Sequence, residues 1–338
     1  MKKLFALLIS LAFSFMLLAG CMERPDDIRV YMPDGAPALA LARMVAMAEP
    51  GEDGMTDRRT FGRYDRGVTY SLVAESALAA TVAKGDADIA IMPTNAAATV
   101  FNKGAKIKIV SINVHGLVYM VGKTEITDLN QLKGKVVYSI GQTGTPGFMF
   151  QYILTQAGIE FETGTEPIEG KVVINYVVEG PAVIAALKGG LTEYGILGEP
   201  AATKAISATE SVLALDLQEE WSKATDGMEL PQACMVIKES LIESDLEFVN
   251  AFIQEVSDSD AWLESHPEEA TQALIDLGST TAQGTTFTAD IISRCNIKTV
   301  PIKETLTSVK QYLNELYSFN ASAVGGQLPS DDLYYQGA

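Results

Sequence analysis

The apolar and polar positions of the chain fall into one pattern that is used twice. Ile28–Met32 and Val68–Ala74 are rich in apolar and β-branched residues and predict strands, and Ile89–Met92 is a short, wholly apolar run. Such a run suits a parallel sheet covered by helices on both faces. Asp34-Gly-Ala-Pro37 leads into Ala38–Ala48, small or apolar except for Arg43, which predicts a helix buried on more than one side. Asp34 can cap it and Pro37 fits its first turn. Ala77–Lys84 predicts a helix with Ser76 as N-cap and Gly85 as stop, Thr94-Asn95-Ala96 starts another, and Lys106–Val114 is a strand.

The second copy places strands at Leu117–Gly122, Lys135–Ile140, Val172–Val178, Tyr194–Leu197 and Val212–Leu217, with a short helix over Asp128–Gly134. Thr143-Gly-Thr-Pro146 leads into the apolar helix Gly147–Ala157, and Glu179-Gly180-Pro181 into Ala182–Lys188. Gly85-Asp-Ala-Asp-Ile-Ala-Ile-Met-Pro-Thr-Asn-Ala-Ala97 and Gly189-Gly-Leu-Thr-Glu-Tyr-Gly-Ile-Leu-Gly-Glu-Pro-Ala-Ala202 share one order: glycine stop, turn, buried strand, proline corner, alanines. The period is too long for a solenoid. It predicts two similar α/β lobes whose strand ends face one cleft, where open α/β sheets bind ligands. His115-Gly116 reads as a hinge, and Ala233–Lys238 as the strand that returns the chain to the first lobe. Helices are expected at Ser244–Val256, Ala261–Ser265, Glu268–Leu277 and Ile302–Leu316, with Phe252 and Trp262 in the core. The domain reading is therefore 28–114 plus 233–338 for the first lobe and 115–232 for the second.

The N-terminus changes the compartment. Lys2-Lys3, the apolar Leu4–Leu18 and the small pair Ala19-Gly20 predict a secretory signal over residues 1–20. Leu18-Ala-Gly-Cys21 resembles a bacterial lipobox, which implies lipidation of Cys21, and residues 21–27 read as a polar linker. No later stretch has the ~20 apolar residues of a membrane span. Without Lys2 and Lys3 the net charge moves from −18 to about −20, which argues against nucleic acid or an anionic membrane surface as partner. Cys234 and Cys295 are read as a disulfide or as two buried thiols; export permits the former. Two histidines, His115 and His266, without Cys or His spacing, argue against a structural zinc site. His115 is expected to be structural.

Glu49–Gly67, with four glycines, five acids and Arg58, Arg59, Arg63 and Arg66, reads as a solvated loop or a hairpin. Gly141-Gln-Thr-Gly-Thr-Pro-Gly147 lacks the Gly-Lys-Ser/Thr ending of a nucleotide P-loop. Its small residues still suggest free N–H groups at a helix start, so Gln142, Thr143, Gly144 and Thr145 are candidate ligand contacts. The other candidates sit at the remaining strand ends: Asp34, Gly35, Ala36, Glu75, Ser76, Thr94, Asn95, Glu179 and Glu199. No Arg, Lys or His occupies those corners. Four carboxylates, Asp34, Glu75, Glu179 and Glu199, suit a solute with amino or ring N–H donors; the alternative role for Asp34 and Glu75 is helix capping.

In the lipobox, Gly85-Asp-Ala-Asp-Ile-Ala90, Gly141–Phe148 opening a helix that ends at Gly158-Ile159, Gly198-Glu-Pro200 and the closing Gly325–Tyr335, the chain resembles the solute-binding proteins of ABC importers for nitrate, alkanesulfonates, taurine and thiamine-type pyrimidines. The resemblance implies the type II periplasmic-binding-protein fold, two α/β lobes joined by two crossovers, with the cleft between them. It also implies hinge closure on a small solute, a permease with its ATPase as partner, no catalysis, no cofactor and a monomer. Within it a thiamine-type pyrimidine suits the acidic corners best; the alternatives are a sulfonate- or nitrate-type anion, or an enzyme resembling menaquinone-pathway dehydratases or pyrimidine synthases. The Ser-His-Asp and Cys-His sets of covalent catalysis are not apparent.

Overall fold

Two mixed sheets form the frame of the structure, a computed structural model that describes residues 27–52, 54–58, 67–142 and 144–337. Residues 1–26, Cys21 among them, and Arg59, Arg63, Arg66 and Thr143 lie outside the described residues. The strands are β1 Ile28–Met32, β2 Glu49–Pro50, β3 Met55–Asp57, β4 Val68–Leu72, β5 Ile89–Pro93, β6 Ile107–Val114, β7 Val118–Gly122, β8 Val136–Ser139, β9 Phe161–Thr163, β10 Val172–Tyr176, β11 Tyr194–Gly198, β12 Val212–Asp216, β13 Ala233–Lys238 and β14 Ile297–Pro301. One sheet has the order β14-β6-β13-β5-β1-β4-β3-β2, the other β12-β7-β11-β8-β10-β9.

The repeat seen in the sequence is a repeat of pairing. In the first sheet β5, β1 and β4 run parallel, and β13 lies antiparallel beside β5. In the second, β11, β8 and β10 run parallel, and β7 lies antiparallel beside β11. Pro93 pairs with Ala233, and Gly198 with Val118, so each proline corner abuts a crossover between the sheets. The wholly apolar β5 and β11 are central strands with buried residues along nearly their whole length, as covered parallel strands require.

Several local expectations need correction. Ala38–Ala48 is not one helix but two short ones, Ala36–Leu39 and Ala42–Ala46, whose apolar residues are buried against the helices Leu246–Ser265 and Pro267–Asp276. Tertiary packing on several sides outweighs helix propensity here. Ser76 is not an N-cap: the helix is Glu75–Lys84, entered from Ala74 without a side-chain cap. The 49–67 segment supplies a short hairpin, β2 with β3, that extends the first sheet through β4. Ala261–Ser265 continues a single helix, Leu246–Ser265. Phe252 is buried, while Trp262 is half-buried and stacks on His266 with ring centroids 4.9 Å apart. Cys234 and Cys295 are both free and buried, and burial pushes both thiols up, Cys234 to about 12.

The sheets are joined through 115–117 and 225–232. Gln232 sits between the two crossovers: its N–H donates to Val114 O at 2.9 Å, and its Oε1 accepts from Leu117 N at 3.0 Å. Gly116 has φ +109°, and a Cβ there would lie 2.1 Å from Gln218 Cγ, so this crossover needs glycine. His115 stands against Lys298 O (Nε2, 3.0 Å) and Glu229 (Nδ1, 3.2 Å), which ties one crossover to the other. On the same side, the helix Ile302–Phe319 carries Tyr312 and Phe319 onto Trp221 and Tyr152 of the second lobe. A single apolar cluster thus runs through both lobes.

Candidate functional site

A cavity of about 1210 Å³ lies between the lobes at the carboxyl ends of their parallel strands. Its floor is built by the corners after β1, β5, β8, β10 and β11, together with Leu117, Val118, Gln232 and Ala233 of the crossovers. Of the sequence candidates, Asp34, Gly35, Ala36, Ser76, Asn95, Gly144, Thr145, Glu179 and Glu199 line it. Gln142 is exposed away from it, and Thr94 is buried beside the Cys234 thiol. Glu75 opens its helix, and its side chain lies outside the described ones. Thr143 and Cys21 lie outside the described residues.

The carboxylates differ in what they already hold. Asp34 does not cap the helix that follows it. It reaches the distant segment Ser279–Thr281, accepting from Ser279 Oγ, from Thr280 N at 3.0 Å and Oγ1 at 2.9 Å, and from Thr281 N at 3.1 Å. Burial would raise its pKa, but these hydrogen bonds prevail and hold it below the ordinary 3.8. Glu199 has a fully buried side chain whose Oε1 accepts from Arg294 Nε at 2.5 Å and Thr203 Oγ1 at 2.9 Å, while Oε2 accepts from Thr203 N at 3.2 Å. The carboxylate expected to face a ligand thus lines the cavity already paired within the protein, as a buried charge requires. Glu179 is exposed on the cavity wall.

The glycine loop is also more closed than expected. Gly141 O accepts from Gly144 N and Gly147 N, both at 3.0 Å, so two N–H groups expected to be open are spent within the loop. A Cβ on Gly147 would lie 2.3 Å from Gly141 O, which accounts for the residue. Thr145 is buried with its side chain against the Tyr312 phenol, whose burial raises it to about 12.

Two basic residues away from the strand-end corners also line the cavity, Lys188 and Lys204. Both are exposed, and Lys204 Nζ comes within 3.7 Å of where a Cβ on Gly284, across the cleft, would stand. The missed signal was helical spacing. Gly180, Ile184 and Lys188 recur every four residues on one face, and Lys204 follows Pro200 by one turn. The remaining wall is largely apolar, including Pro37, Ala79, Leu117, Ile140, Ile184 and Ala185. Among the described residues no group of three or more His, Cys, Asp or Glu is placed to hold a metal, and no helix is long and apolar enough to cross a membrane.

Residues 67–270 match the family model described as NMT1/THI5 like. No curated protein matches. Among solved structures, an ABC transporter protein from Parabacteroides distasonis is similar at 23% identity and TM-score 0.73, with 92% of this chain and 99% of that one covered. The periplasmic aliphatic sulphonate binding protein SsuA of Escherichia coli is similar at 14% identity and TM-score 0.68, with 93% of each chain covered. The alkanesulfonate-binding protein SsuA of Xanthomonas axonopodis pv. citri, bound to MOPS, is similar at 13% identity and TM-score 0.59, with 92% and 96% covered. The fold is the type II periplasmic-binding-protein fold, and the chain belongs to the NMT1/THI5-like family.

Proposed function

We propose that this protein is the extracytoplasmic solute-binding component of an ABC importer, held to the membrane through lipidated Cys21. It takes one small organic solute between its lobes and presents the closed form to a permease with its ATPase. The observation that carries this reading is the inter-lobe cavity of about 1210 Å³, walled mainly by apolar side chains. Pockets for organic molecules have such walls and volumes of roughly 300–1,000 Å³, so this cavity stands just above that range. The size points to a solute with a ring or chain, and away from a bare nitrate-sized ion.

The polar preference follows from which charges remain uncommitted. Asp34 and Glu199 are taken up by protein partners, which removes two of the four acids that favoured a donor-bearing heterocycle. Lys188 and Lys204 project into the cavity wall from the second lobe. They favour a solute whose apolar body ends in an anionic or acceptor group, such as an organic sulfonate or carboxylate. The thiamine-type pyrimidine remains the second reading, supported by Glu179 on the same wall.

Thermal melting against alkane- and arenesulfonates, aromatic carboxylates, aminopyrimidines and nitrate tests both. A ligand at 100 times its dissociation constant adds roughly 2.7 kcal/mol. The proposal expects a rise in melting temperature with an organic acid, lost when Lys188 and Lys204 are both changed to Gln. A rise with aminopyrimidines alone, lost in Glu179→Gln, would select the second reading. A rise with nitrate alone would contradict both.

A further inference from the structure

We propose that Arg294 is a positioning residue that clasps the two lobes together through the buried carboxylate of Glu199, fixing the width of the cleft from the protein's own groups. Arg294 ends the helix Ala289–Arg294 beside the first sheet. Its Nε donates to Glu199 Oε1 at 2.5 Å, and its Nη2 donates to Thr203 Oγ1 at 2.7 Å; both acceptors stand at the start of the helix after β11 in the second lobe. The backbone joins in. Arg294 O accepts from Tyr119 Oη at 2.9 Å, and Asn296 Nδ2 donates to Gly116 O at 2.7 Å. Burial pushes the Tyr119 phenol up, which keeps it protonated as the donor. Segment 294–296 therefore meets the second lobe through both side chains and backbone, and Asn296 itself has φ +46°.

The burial is asymmetric. The Glu199 side chain is fully buried, whereas that of Arg294 is 32% exposed. Deleting the arginine strands a buried carboxylate, and deleting the carboxylate returns a half-solvated guanidinium to water. The first change is the costly one, and the lobes relieve it by parting so that water reaches Glu199. Thr203 N and Oγ1 hold the carboxylate from its own helix, so its aim at Arg294 is set within the second lobe. This inference rests on the hinged solute-binding reading for its purpose only. A clasp that biases the cleft toward the binding-competent width reduces the affinity lost to populating that form.

The test uses the full chain in detergent with no solute added, so its failure is distinct from failure of the solute reading. Spin labels at Ser207→Cys and Gln283→Cys, both exposed and on opposite lobes near the Lys204–Gly284 approach, report the gap by electron spin resonance. The native chain is expected to give one dominant short distance. Arg294→Gln should raise the long-distance population about 5-fold or more. Glu199→Gln together with Arg294→Gln should return it toward native, because no buried charge remains. Should Arg294→Gln fail to fold, Tyr119→Phe with Thr203→Val removes the flanking hydroxyls while leaving the ion pair, and should lengthen the distance to a smaller extent. Native distances in the variant that folds, or a double variant as open as Arg294→Gln, would overturn the proposal.

Discussion

The two lobes use the same corner for different ends. Each carries a parallel trio with an antiparallel neighbour, and each presents one strongly held carboxylate at a strand end facing the cleft. In the first lobe that carboxylate is Asp34, and its partners at Ser279–Thr281 belong to the same lobe. In the second it is Glu199, and its charged partner Arg294 comes from the other lobe. One acid stiffens a lobe; the other couples two. The difference lies in the chain's route. After the second crossover the first lobe receives the whole C-terminal part, including the segments that supply Ser279 and Arg294, so only it has surplus chain to send against both corners.

Substitutions can break this comparison at graded cost. The largest effect is expected at the joint the lobes share. Trp221→Ala, deleting a fully buried ring that packs on Tyr152 and Tyr312, should cost about 3–5 kcal/mol in urea unfolding. Two separate unfolding transitions in that variant would mark the Trp221 cluster as what couples the lobes. Gly116→Ala should follow, at about 2 kcal/mol or more, from its positive φ and the clash with Gln218. It should also disturb the bond from Val118 N to Gln218 Oε1, visible as faster amide exchange at the start of β7.

Asp34→Ala should cost about 1–2 kcal/mol, as loss of an acid that accepts from the first N–H groups of a helix does, here Thr280 N and Thr281 N, and should leave the inter-lobe distance unchanged. The pH dependence has a definite sign. A carboxylate held below its ordinary value stabilises the fold above 3.8 and loses that contribution as pH falls through the depressed folded value. Asp34→Asn should therefore flatten part of the acid limb of a stability–pH curve below about pH 4. The smallest effect on stability is expected at Glu179→Gln, within about 0.5 kcal/mol, because the side chain is exposed. That variant sharpens the comparison of ligand classes, since the second reading needs its charge and the first does not.

Strands with strong patterns were legible. β1, β4, β5, β6, β7, β8, β10, β11, β12 and β13 all stand within a residue or two of the ranges their apolar runs predict. β9 and β14 were not, for physical reasons. Phe161–Thr163 is three residues with one apolar side chain, and Ile297–Pro301 includes Lys298 and ends in proline. The corners after β1, β5, β8, β10 and β11 line the inter-lobe cavity, and the glycines, prolines and small residues that follow buried strands make them legible as strand ends in the sequence. Their chemistry was not legible. Asp34 and Glu199 look like free acids until Thr280, 246 positions on, and Arg294, 95 positions on, are brought to them. Lys188 was visible as the end of a helix, but only the packing of that helix turns its face to the cleft.

The most direct test of the account is calorimetric titration of the protein with the organic sulfonate or carboxylate that raises its melting temperature most. The account predicts one site per chain, with binding lost when Lys188 and Lys204 are both changed to Gln while the fold survives. Binding of native strength in that double variant would place the solute elsewhere and contradict the assignment of the inter-lobe cavity.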